Sequence, residues 1–305
     1  MDKSETFMID EEFVGMRIDQ VVCDQYEDIS RSTVQDMLKQ GEIKVNGKIV
    51  KPGLKLKGGE TVLIEHRIEE FETDIVPTKL DFPIIFEDEH IIVVNKPSGL
   101  VVHPGAGREK ETVVSAVLGH TVLSPIGAPT RPGIVHRLDK ETSGIMVLAK
   151  TKEAHKGLSE AFSEHKIEKE YLALIQGHIV NKKGRIEVAV ERDKIHRKRM
   201  KATSSEEGRM AVSIFEVEEY LKGASLVRVR ILTGRTHQIR VHMAFTGHPL
   251  IADTVYGGGK TDKITEHFLH SFKLGFNHPI TDEKLVFEAE MPEAFVKALK
   301  SLRVD

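Results

Sequence analysis

The chain of 305 residues is long enough for two domains, and its 40% hydrophobic and 30% charged residues are typical of a folded globular protein rather than a disordered or fibrous one. No stretch holds the roughly 18 consecutive apolar residues of a membrane span, and the acidic start lacks the order of a signal peptide, so we expect a cytoplasmic protein without membrane contact. The single cysteine, Cys23, excludes an internal disulfide and a thiolate zinc cluster.

The net charge of -3 hides an uneven distribution of charged side chains. Residues 1–28 hold nine acidic and two basic side chains, whereas residues 31–57 hold seven basic and two acidic ones. A second basic stretch, residues 182–201, holds nine basic and three acidic side chains. A single basic run is often only a solvated face. Two such runs in an acidic protein favour contact with phosphates, because phosphate binding requires local and not net positive charge.

The first part of the chain predicts two helices and a small sheet with cationic edges. Residues 17–26 place apolar side chains on one helical face. A second helix is expected over residues 31–40, with Ser30 as its N-cap and Gly41 at its end. Asn46-Gly47 is a strong signal for a two-residue hairpin turn, and a strand is expected over residues 61–65.

The polar and acidic stretch 66–79 is expected to be a linker. It separates an N-terminal domain, residues 1–75 with a core at about 15–65, from a larger domain, residues 76–305. In the larger domain, strands and helices mix without regular alternation, and no dinucleotide or phosphate-loop glycine pattern appears. The expected fold class is α+β with a mixed, mainly antiparallel sheet. The elements that support it are strands at residues 91–94, 144–149 and 226–232, and helices at residues 112–119 and 152–165.

The densest polar cluster lies at residues 133–144, between two apolar runs. It places Asp139 between Arg137 and Lys140. Neighbouring cations favour the ionised carboxylate, which suits a nucleophile or a charge stabiliser better than a general acid. A structural ion pair in a turn is the alternative. A glycosidase would need a second carboxylate at a set separation, and Glu141 would project differently from Asp139 in either regular structure.

The sequence of this cluster, GIVHRLDKETSG, closely resembles the central motif of the RluA-type RNA pseudouridine synthases. The resemblance covers about residues 80–290, with further motifs at residues 95–105, 169–173, 232–242, 247–251, 256–257 and 269–271. The N-terminal unit resembles the ribosomal S-four-like RNA-binding domain of many members, particularly the large-subunit synthases of the D type. Glu141, Ala252 and Thr254 stand where Asp, Gly and Pro are commoner, which affects loop detail and not the chemistry.

The resemblance implies an isomerase that breaks the N-glycosidic bond of a uridine, turns the detached uracil and rejoins it through C5. Asp139 would be the nucleophile, either attacking the ribose or removing its C2′ proton, and the sequence does not choose between these routes. Arg235 would pair with Asp139 and hold it ionised, with Arg240 as the alternative partner. Tyr171 would stack on the uracil and assist proton transfer at C5.

The resemblance also implies how the target nucleotide is bound. Arg137 would occupy the gap left by an extruded base or contact a phosphate. Leu138, His136 and Arg240 would complete the substrate site. His237 and His242 are five residues apart and do not share a helix face, and no carboxylate stands at ligand spacing beside them, so no metal site is expected. Because the sequence has no nucleotide-binding loop and no cofactor lysine context, no other cofactor is expected.

Two basic surfaces are predicted to bind RNA, mainly through its phosphates. The first is a face of the N-terminal unit formed by Arg31, Lys39, Lys44, Lys48 and Lys51. The second is residues 182–201, expected to be a mobile hairpin that closes on the substrate and includes Arg197, Lys198 and Arg199. The expected partner is large-subunit ribosomal RNA or a pre-ribosomal particle, and the expected state is a monomer.

Two other functional classes fit parts of the sequence. A catalytically inactive RNA-binding or ribosome-assembly factor could share the whole pattern and would release no tritium from C5-labelled uridine. A nucleoside hydrolase acting on small molecules would release free uracil and ribose, and would leave the basic N-terminal unit without a purpose.

Overall fold

The computed structural model describes residues 3–25, 31–66, 75–105, 109–193, 195–196, 199–259 and 267–303. These residues form two sets of elements with separate hydrophobic cores. Both sets combine helices with mainly antiparallel strands, so the predicted α+β class is confirmed. No helix within these ranges is long and apolar enough to cross a membrane.

The first set packs two helices against a four-stranded antiparallel sheet. Its core contains fully buried side chains from both helices and from the sheet, including Ile18, Leu38 and Ile64. The two predicted helices and the strand near residue 61 are confirmed, while the predicted cap Ser30 lies outside the described residues. The elements are β1 (Lys3–Met8), α1 (Ile18–Gln25), α2 (Arg31–Gln40), β2 (Ile43–Val45), β3 (Lys48–Ile49) and β4 (Thr61–His66), in the sheet order β1-β4-β2-β3.

The turn between β2 and β3 has the geometry that its sequence predicts. Val45 pairs with Lys48 across the turn. Asn46 and Gly47 have φ angles of 49° and 71°, the left-handed conformation that a tight two-residue hairpin requires at both positions. The side-chain oxygen of Asn46 accepts a hydrogen bond of 2.8 Å from the Thr61 amide, which ties the turn to β4.

The second set contains eleven strands and four helices within the described ranges, and the strands and helices predicted from the apolar runs are all present. Helix α3 begins after Thr112, whose hydroxyl accepts a hydrogen bond of 3.0 Å from the Ser115 amide. The elements are β5 (Ile84–Glu87), β6 (Ile91–Lys96), α3 (Val113–Leu118), β7 (Ser143–Ala149), α4 (Lys152–Ser163), β8 (Glu168–Gln176), β9 (Lys183–Glu187), β10 (Ala189–Arg192), β11 (Met200–Thr203), β12 (Val212–Leu221), β13 (Ala224–Ile231), α5 (Gln238–Phe245), β14 (Leu269–Asn277), β15 (Lys284–Glu288) and α6 (Glu293–Leu302).

Nine of these strands form one mixed sheet, as the sequence predicts. Eight follow the order β5-β6-β7-β14-β8-β13-β12-β9, and β15 pairs with β14 beyond its short contact with β7. Only the β7–β14 pair is parallel among the described strands. All seven residues of β7 are buried, because apolar side chains cover both faces of the sheet, and β7 therefore appears in the sequence as a continuous apolar run.

The basic stretch 182–201 forms the predicted hairpin only in part. Its first part, β9, pairs with β12 as an edge strand of the large sheet. The hairpin itself is β10 paired with β11. The prediction of one hairpin over the whole stretch was wrong because Ile186 is buried in the core of the large sheet, which holds β9 there. Arg197 and Lys198 lie outside the described residues.

Candidate active site

A cavity of about 480 Å³ opens beside the first residues of β7. Five segments line it: the loop before β7, the end of α4, the start of β8, the connection from β13 into α5, and the start of β14. Asp139 is the one carboxylate among its lining residues within the described part of the chain. The strongly apolar strands therefore form a rigid frame, and the polar side chains that follow or precede them meet at one cavity.

Asp139 lies in the loop before β7 with its side chain 18% exposed. Its Oδ2 accepts a hydrogen bond of 3.2 Å from Nη1 of Arg240. The Nε2 atom of His237 lies 3.7 Å from the same oxygen, which is too long for a direct hydrogen bond. No described residue donates a hydrogen bond to Oδ1, so one oxygen of this carboxylate remains available to a substrate.

The loop that carries Asp139 is anchored by Lys96, at the end of β6. The Lys96 ammonium is fully buried and donates to the carbonyl oxygens of Pro97 at 2.9 Å, Leu100 at 2.7 Å and Lys140 at 2.9 Å. Burial lowers the pKa of Lys96 to about 7, although the nearby carboxylates of Glu141 and Asp139 act in the opposite direction. Three acceptors satisfy all three ammonium donors, so Lys96 ties the segment after Asp139 to the sheet.

Arg240 is positioned by a second carboxylate that lies behind it. Asp253 accepts from Nε of Arg240 at 2.7 Å and from Nη2 at 3.0 Å. Burial would raise the pKa of Asp253, but the hydrogen bonds and charge of Arg240 outweigh it and keep that pKa below its ordinary value. The guanidinium therefore bridges a buried carboxylate and the cavity carboxylate Asp139, and its remaining face lies 5.0 Å from the Tyr256 ring centre.

The predicted pairing of Arg235 with Asp139 was wrong, and the alternative partner, Arg240, makes the contact. Arg235 lies in the turn before α5, where its Nε donates to the carbonyl oxygen of Met210 at 3.2 Å. Arg240 lies within the first turns of α5 and is 5% exposed, between the apolar Ile239 and Val241. The apolar residues on either side fit a buried position for Arg240, but they do not indicate which carboxylate it contacts.

The start of α5 is fixed by the side chain of Gln238. Its oxygen accepts from the Thr233 hydroxyl at 2.7 Å and from the Arg235 amide at 3.0 Å. Its nitrogen donates to the Val212 carbonyl and to the Ser213 hydroxyl, both at 3.0 Å. A fully paired buried amide of this kind holds the β13–α5 connection in one conformation, and with it the residues on either side.

His237 links the cavity to the hairpin through Tyr256. The Tyr256 hydroxyl accepts from the Met200 amide at 2.9 Å and lies 2.7 Å from Nδ1 of His237. The hydroxyl can donate its own proton to Nδ1, and in that tautomer the imidazole proton is on Nε2, facing Asp139. Burial lowers the pKa of His237 despite the nearby Asp139, so the imidazole is neutral at pH 7.

Tyr171 lies on β8 between Val229 and Ser271 of the neighbouring strands, and it lines the cavity. Burial raises the pKa of Tyr171 to about 12; a hydrogen bond with the Ser271 side chain acts to lower this pKa, and the negative charge of Asp139 acts to raise it. The phenol is therefore protonated at pH 7, and it presents a ring and a hydrogen-bond donor rather than a base.

The other predicted substrate-site residues line the same cavity. Arg137 is exposed, while Leu138 is 5% exposed and joins the core. Nε2 of His136 accepts a hydrogen bond of 3.1 Å from the Val147 amide, and burial lowers the pKa of His136 to about 3. His136 is thus a neutral group that fixes the cavity wall, and Arg137 stands in the most accessible position of the three.

The cations predicted to bind RNA in the N-terminal unit fall into two groups. Arg31, Lys39 and Lys44 are each paired with a carboxylate, at 3.1, 2.7 and 2.6 Å respectively. Lys48 and Lys51 are exposed, and no ion pair joins either to a described residue. In the larger unit, Arg199 is half-buried and its guanidinium lies 5.3 Å from the Tyr256 ring centre.

Sequence reasoning missed four residues that shape the site: Lys96, His237, Tyr256 and Asp253. All four lie within or beside the motif stretches, but each acts through a partner distant in the chain. Lys96 has the clearest signal, because a lysine at the end of the apolar run 91–94 reads as a buried cation in need of acceptors.

Comparison with known proteins agrees with this arrangement. Residues 90–245 match the RNA pseudouridylate synthase family, and residues 16–62 match the S4 domain. The chain is 40% identical over 306 residues to ribosomal large subunit pseudouridine synthase D of Vibrio cholerae, covering 96% of this chain and 93% of that protein. It is 43% identical over 291 residues to an uncharacterized RNA pseudouridine synthase of Aquifex aeolicus, covering 92% of this chain and 91% of that protein.

A solved structure has the same fold. Human RNA pseudouridylate synthase domain containing 1 superposes with a TM-score of 0.59 at 26% identity, covering 73% of this chain and 96% of that one. The family match covers the part of the chain that forms the cavity around Asp139, and the relatives are matched over nearly their whole length. The chain therefore belongs to the RNA pseudouridylate synthase family, and it carries an S4 domain at residues 16–62.

Proposed function

We propose that this enzyme isomerises uridines of large-subunit ribosomal RNA in the cytoplasm, with Asp139 as its nucleophile. Relatives at about 40% identity are named as ribosomal large subunit pseudouridine synthases, which supports this substrate class. The S4 domain supplies an RNA-binding unit, and we place it within residues 1–75, ahead of a catalytic unit at residues 76–305. We expect the enzyme to act as a monomer.

The observation that carries the proposal is the geometry of Asp139. One oxygen of its carboxylate is held by Arg240 at 3.2 Å and the other is open to the cavity. An ionised carboxylate in this position can attack C1′ of the ribose or remove the C2′ proton. Arg240, itself held by Asp253, fixes the orientation of the carboxylate.

Two neighbours of Asp139 have roles in the same reaction. Tyr171 stacks on the uracil and, as a protonated phenol, donates a hydrogen bond within the cavity. Arg137, exposed at the cavity, enters the gap that an extruded base leaves in the RNA stack, or contacts a phosphate. We assign Arg235 a role at the cavity wall and not in the ion pair.

A glycosidase fits the cavity less well. Hydrolysis of this type needs two carboxyl groups around the bond that breaks, one of them protonated. Asp139 has no second carboxyl group beside it among the described cavity residues, and Asp253 is occupied by hydrogen bonds from Arg240 and from the Val255 and Tyr256 amides. Free uracil as the main product would therefore contradict the proposal.

The experiment that tests the proposal is tritium release from large-subunit ribosomal RNA that carries 5-tritiated uridine. The wild type should release tritium, and Asp139→Asn should reduce the rate by more than about 10³-fold while the melting temperature changes little. Glu141→Gln is the matched control, because it makes the same change two residues away, outside the cavity lining, and should retain activity. Mapping pseudouridines in ribosomal RNA from cells with and without the protein would identify the target positions.

A further inference from the structure

Lys169 lies in the wall of the active-site cavity and has no assigned role. It stands on β8 two residues before Tyr171, so both side chains point to the same face of the strand, about 7 Å apart. The side chain is 5% exposed, and burial lowers the pKa of its ammonium.

The surroundings of this ammonium are apolar and aromatic. Its Nζ lies 5.6 Å from the ring centre of Phe162. The ring of His136 stacks on the same phenyl group, with centroids 4.6 Å apart and an interplanar angle of 19°. No carboxylate forms an ion pair with Lys169 anywhere in the described chain.

Two other buried cations of the catalytic unit have polar partners within the protein. Lys96 has three carbonyl acceptors, and Arg240 has two carboxylates. A buried ammonium without a hydrogen-bonding counter-ion is costly, and the aromatic contact offsets only part of that cost. Among the described residues Lys169 has no such partner, and the cavity gives a bound ligand access to it.

The proposed reaction produces an anion in this cavity. When the C1′–N1 bond breaks, its electron pair stays on the uracil and spreads over N1, O2 and O4. This holds whether Asp139 forms a bond to C1′ or takes the C2′ proton, so the charge does not depend on which route operates. The extruded base enters deepest, while the phosphodiesters remain with the strand outside. An almost fully buried cation beside Tyr171 is therefore placed for the base rather than for the backbone.

We propose that the Lys169 ammonium donates a hydrogen bond to an anionic oxygen of the detached uracil and stabilises it while it turns. The inference rests on the proposed function. When C5 bonds to C1′, Asp139 becomes a free carboxylate again, either by leaving C1′ or by returning the proton to C2′, so the negative charge passes from the uracil back to Asp139. The C5 proton then leaves and N1 gains a proton, and the product is neutral. Lys169 is therefore a catalytic residue: its positive charge acts on the leaving uracil, whereas the negative charge of Asp139 acts on the ribose.

The test compares Lys169→Met, which keeps length but removes the charge, with Lys169→Arg, which keeps the charge. Single-turnover rates and RNA affinity are measured on a large-subunit ribosomal RNA fragment with 5-tritiated uridine. Lys169→Met should slow the step by on the order of 10²-fold with affinity changed less than about threefold, and Lys169→Arg should recover part of the rate. Lys166→Met makes the same change at an exposed lysine three residues away and should retain the wild-type rate.

A second measurement separates leaving-group stabilisation from a structural role. Fluorine at C5 withdraws electrons and stabilises the uracil anion without the enzyme. The rate loss of Lys169→Met should therefore be several-fold smaller on RNA with 5-fluorouridine, followed by chromatographic loss of that nucleoside after digestion. An equal loss on both RNAs, a wild-type rate, or a fall in affinity with a shallower salt dependence, which marks a phosphate contact, would each overturn the inference. A wild type that forms no pseudouridine would instead overturn the proposed function.

Discussion

Two ion-paired aspartates, one in each unit, differ in how much of their hydrogen-bonding capacity the protein uses. Asp19 in α1 is fully buried and accepts four hydrogen bonds: two from Arg17 at 2.9 and 3.0 Å, one from Arg31 at 3.1 Å and one from Gln35 at 2.7 Å. Asp139 accepts one, from Arg240. A saturated carboxylate holds its cations in place, whereas an unsaturated one at a cavity retains an oxygen for chemistry.

Asp253, next to the active-site cavity, resembles Asp19 in that both of its carboxylate oxygens accept hydrogen bonds. Its role is to orient Arg240, and Arg240 in turn orients Asp139. In the N-terminal unit the buried carboxylate orients exposed cations instead of a second carboxylate. Asp19 holds two half-exposed arginines, Arg17 and Arg31, toward solvent. One arrangement orients a carboxylate at the cavity, where we propose that it meets a ribose, and the other turns cations toward solvent, where we predict that they meet phosphates.

The largest expected effect of breaking a saturated carboxylate is at Asp253. Asp253→Asn removes one of the two buried charges that hold Arg240, so the aim of Asp139 is lost. We expect the isomerisation rate to fall on the order of 10²-fold, and the free energy of unfolding to fall by about 3–5 kcal/mol because a buried pair is broken. Single-turnover rates, measured well below the melting temperature, and thermal unfolding check both effects. An unchanged rate would show that Arg240 needs no second carboxylate.

The matching change in the N-terminal unit is Asp19→Asn. It tests whether RNA affinity depends on the orientation of Arg17 and Arg31 or only on the net charge of the protein. Removing a negative charge should strengthen RNA binding if only the total charge mattered. We expect the opposite, a fall in affinity of roughly tenfold, because Arg17 and Arg31 lose the anchor that orients them. Filter binding at fixed salt measures the affinity, and the rate at saturating RNA should stay near that of the wild type.

Arg17→Gln controls for unfolding of the N-terminal unit, because Asp19 then keeps its bonds to Arg31 and Gln35. This variant should also weaken RNA binding. Tighter binding by Asp19→Asn would contradict the orienting role, whatever the effect on stability.

Lowering the pH tests the contribution of Asp19 to stability. Burial acts to raise the pKa of Asp19, but hydrogen bonds from Arg17, Gln35 and Arg31 lower it from 3.8 to about 2. Since the folded-state pKa lies below the unfolded one, the stability from this cluster is complete above about pH 4 and is lost as the pH falls toward 2. Amide exchange of α1 across this range should show the loss in the wild type, and Asp19→Asn should show a smaller change.

The parts of the structure that depend on neighbouring residues could be predicted from the sequence. The Asn46-Gly47 turn follows from local backbone preference, and β7 from its apolar run. The flanking cations made Asp139 a candidate for a nucleophile or charge stabiliser, and the family resemblance implied its role as the nucleophile. Its partner could not be identified in this way, because Arg240 lies 101 residues away and only the path of α5 decides which arginine of the motif reaches the carboxylate.

Buried polar clusters were harder to predict for the same reason. The acceptors of Lys96 come from two loops, at residues 97–100 and at Lys140, which the sheet brings together. The edge strand β9 was read as part of a basic hairpin because its charged residues outnumber Ile186, the one side chain that fixes it to the core. In both cases the decisive interaction joins distant segments, while the visible pattern is local.

The smallest expected effects concern the surface lysines, which differ in whether a carboxylate of the protein already pairs with them. Lys44 is paired with Glu65 at 2.6 Å, with both side chains partly exposed, whereas Lys48 forms no ion pair with any described residue. Replacing either by Gln should change the free energy of unfolding by less than about 1 kcal/mol. A phosphate contact contributes about 0.7–0.9 to the slope of log affinity against log salt. Lys48→Gln should therefore reduce that slope by nearly this amount and Lys44→Gln by less, because Glu65 already neutralises Lys44. Equal slopes for the two variants would show that pairing within the protein does not decide which cations meet RNA.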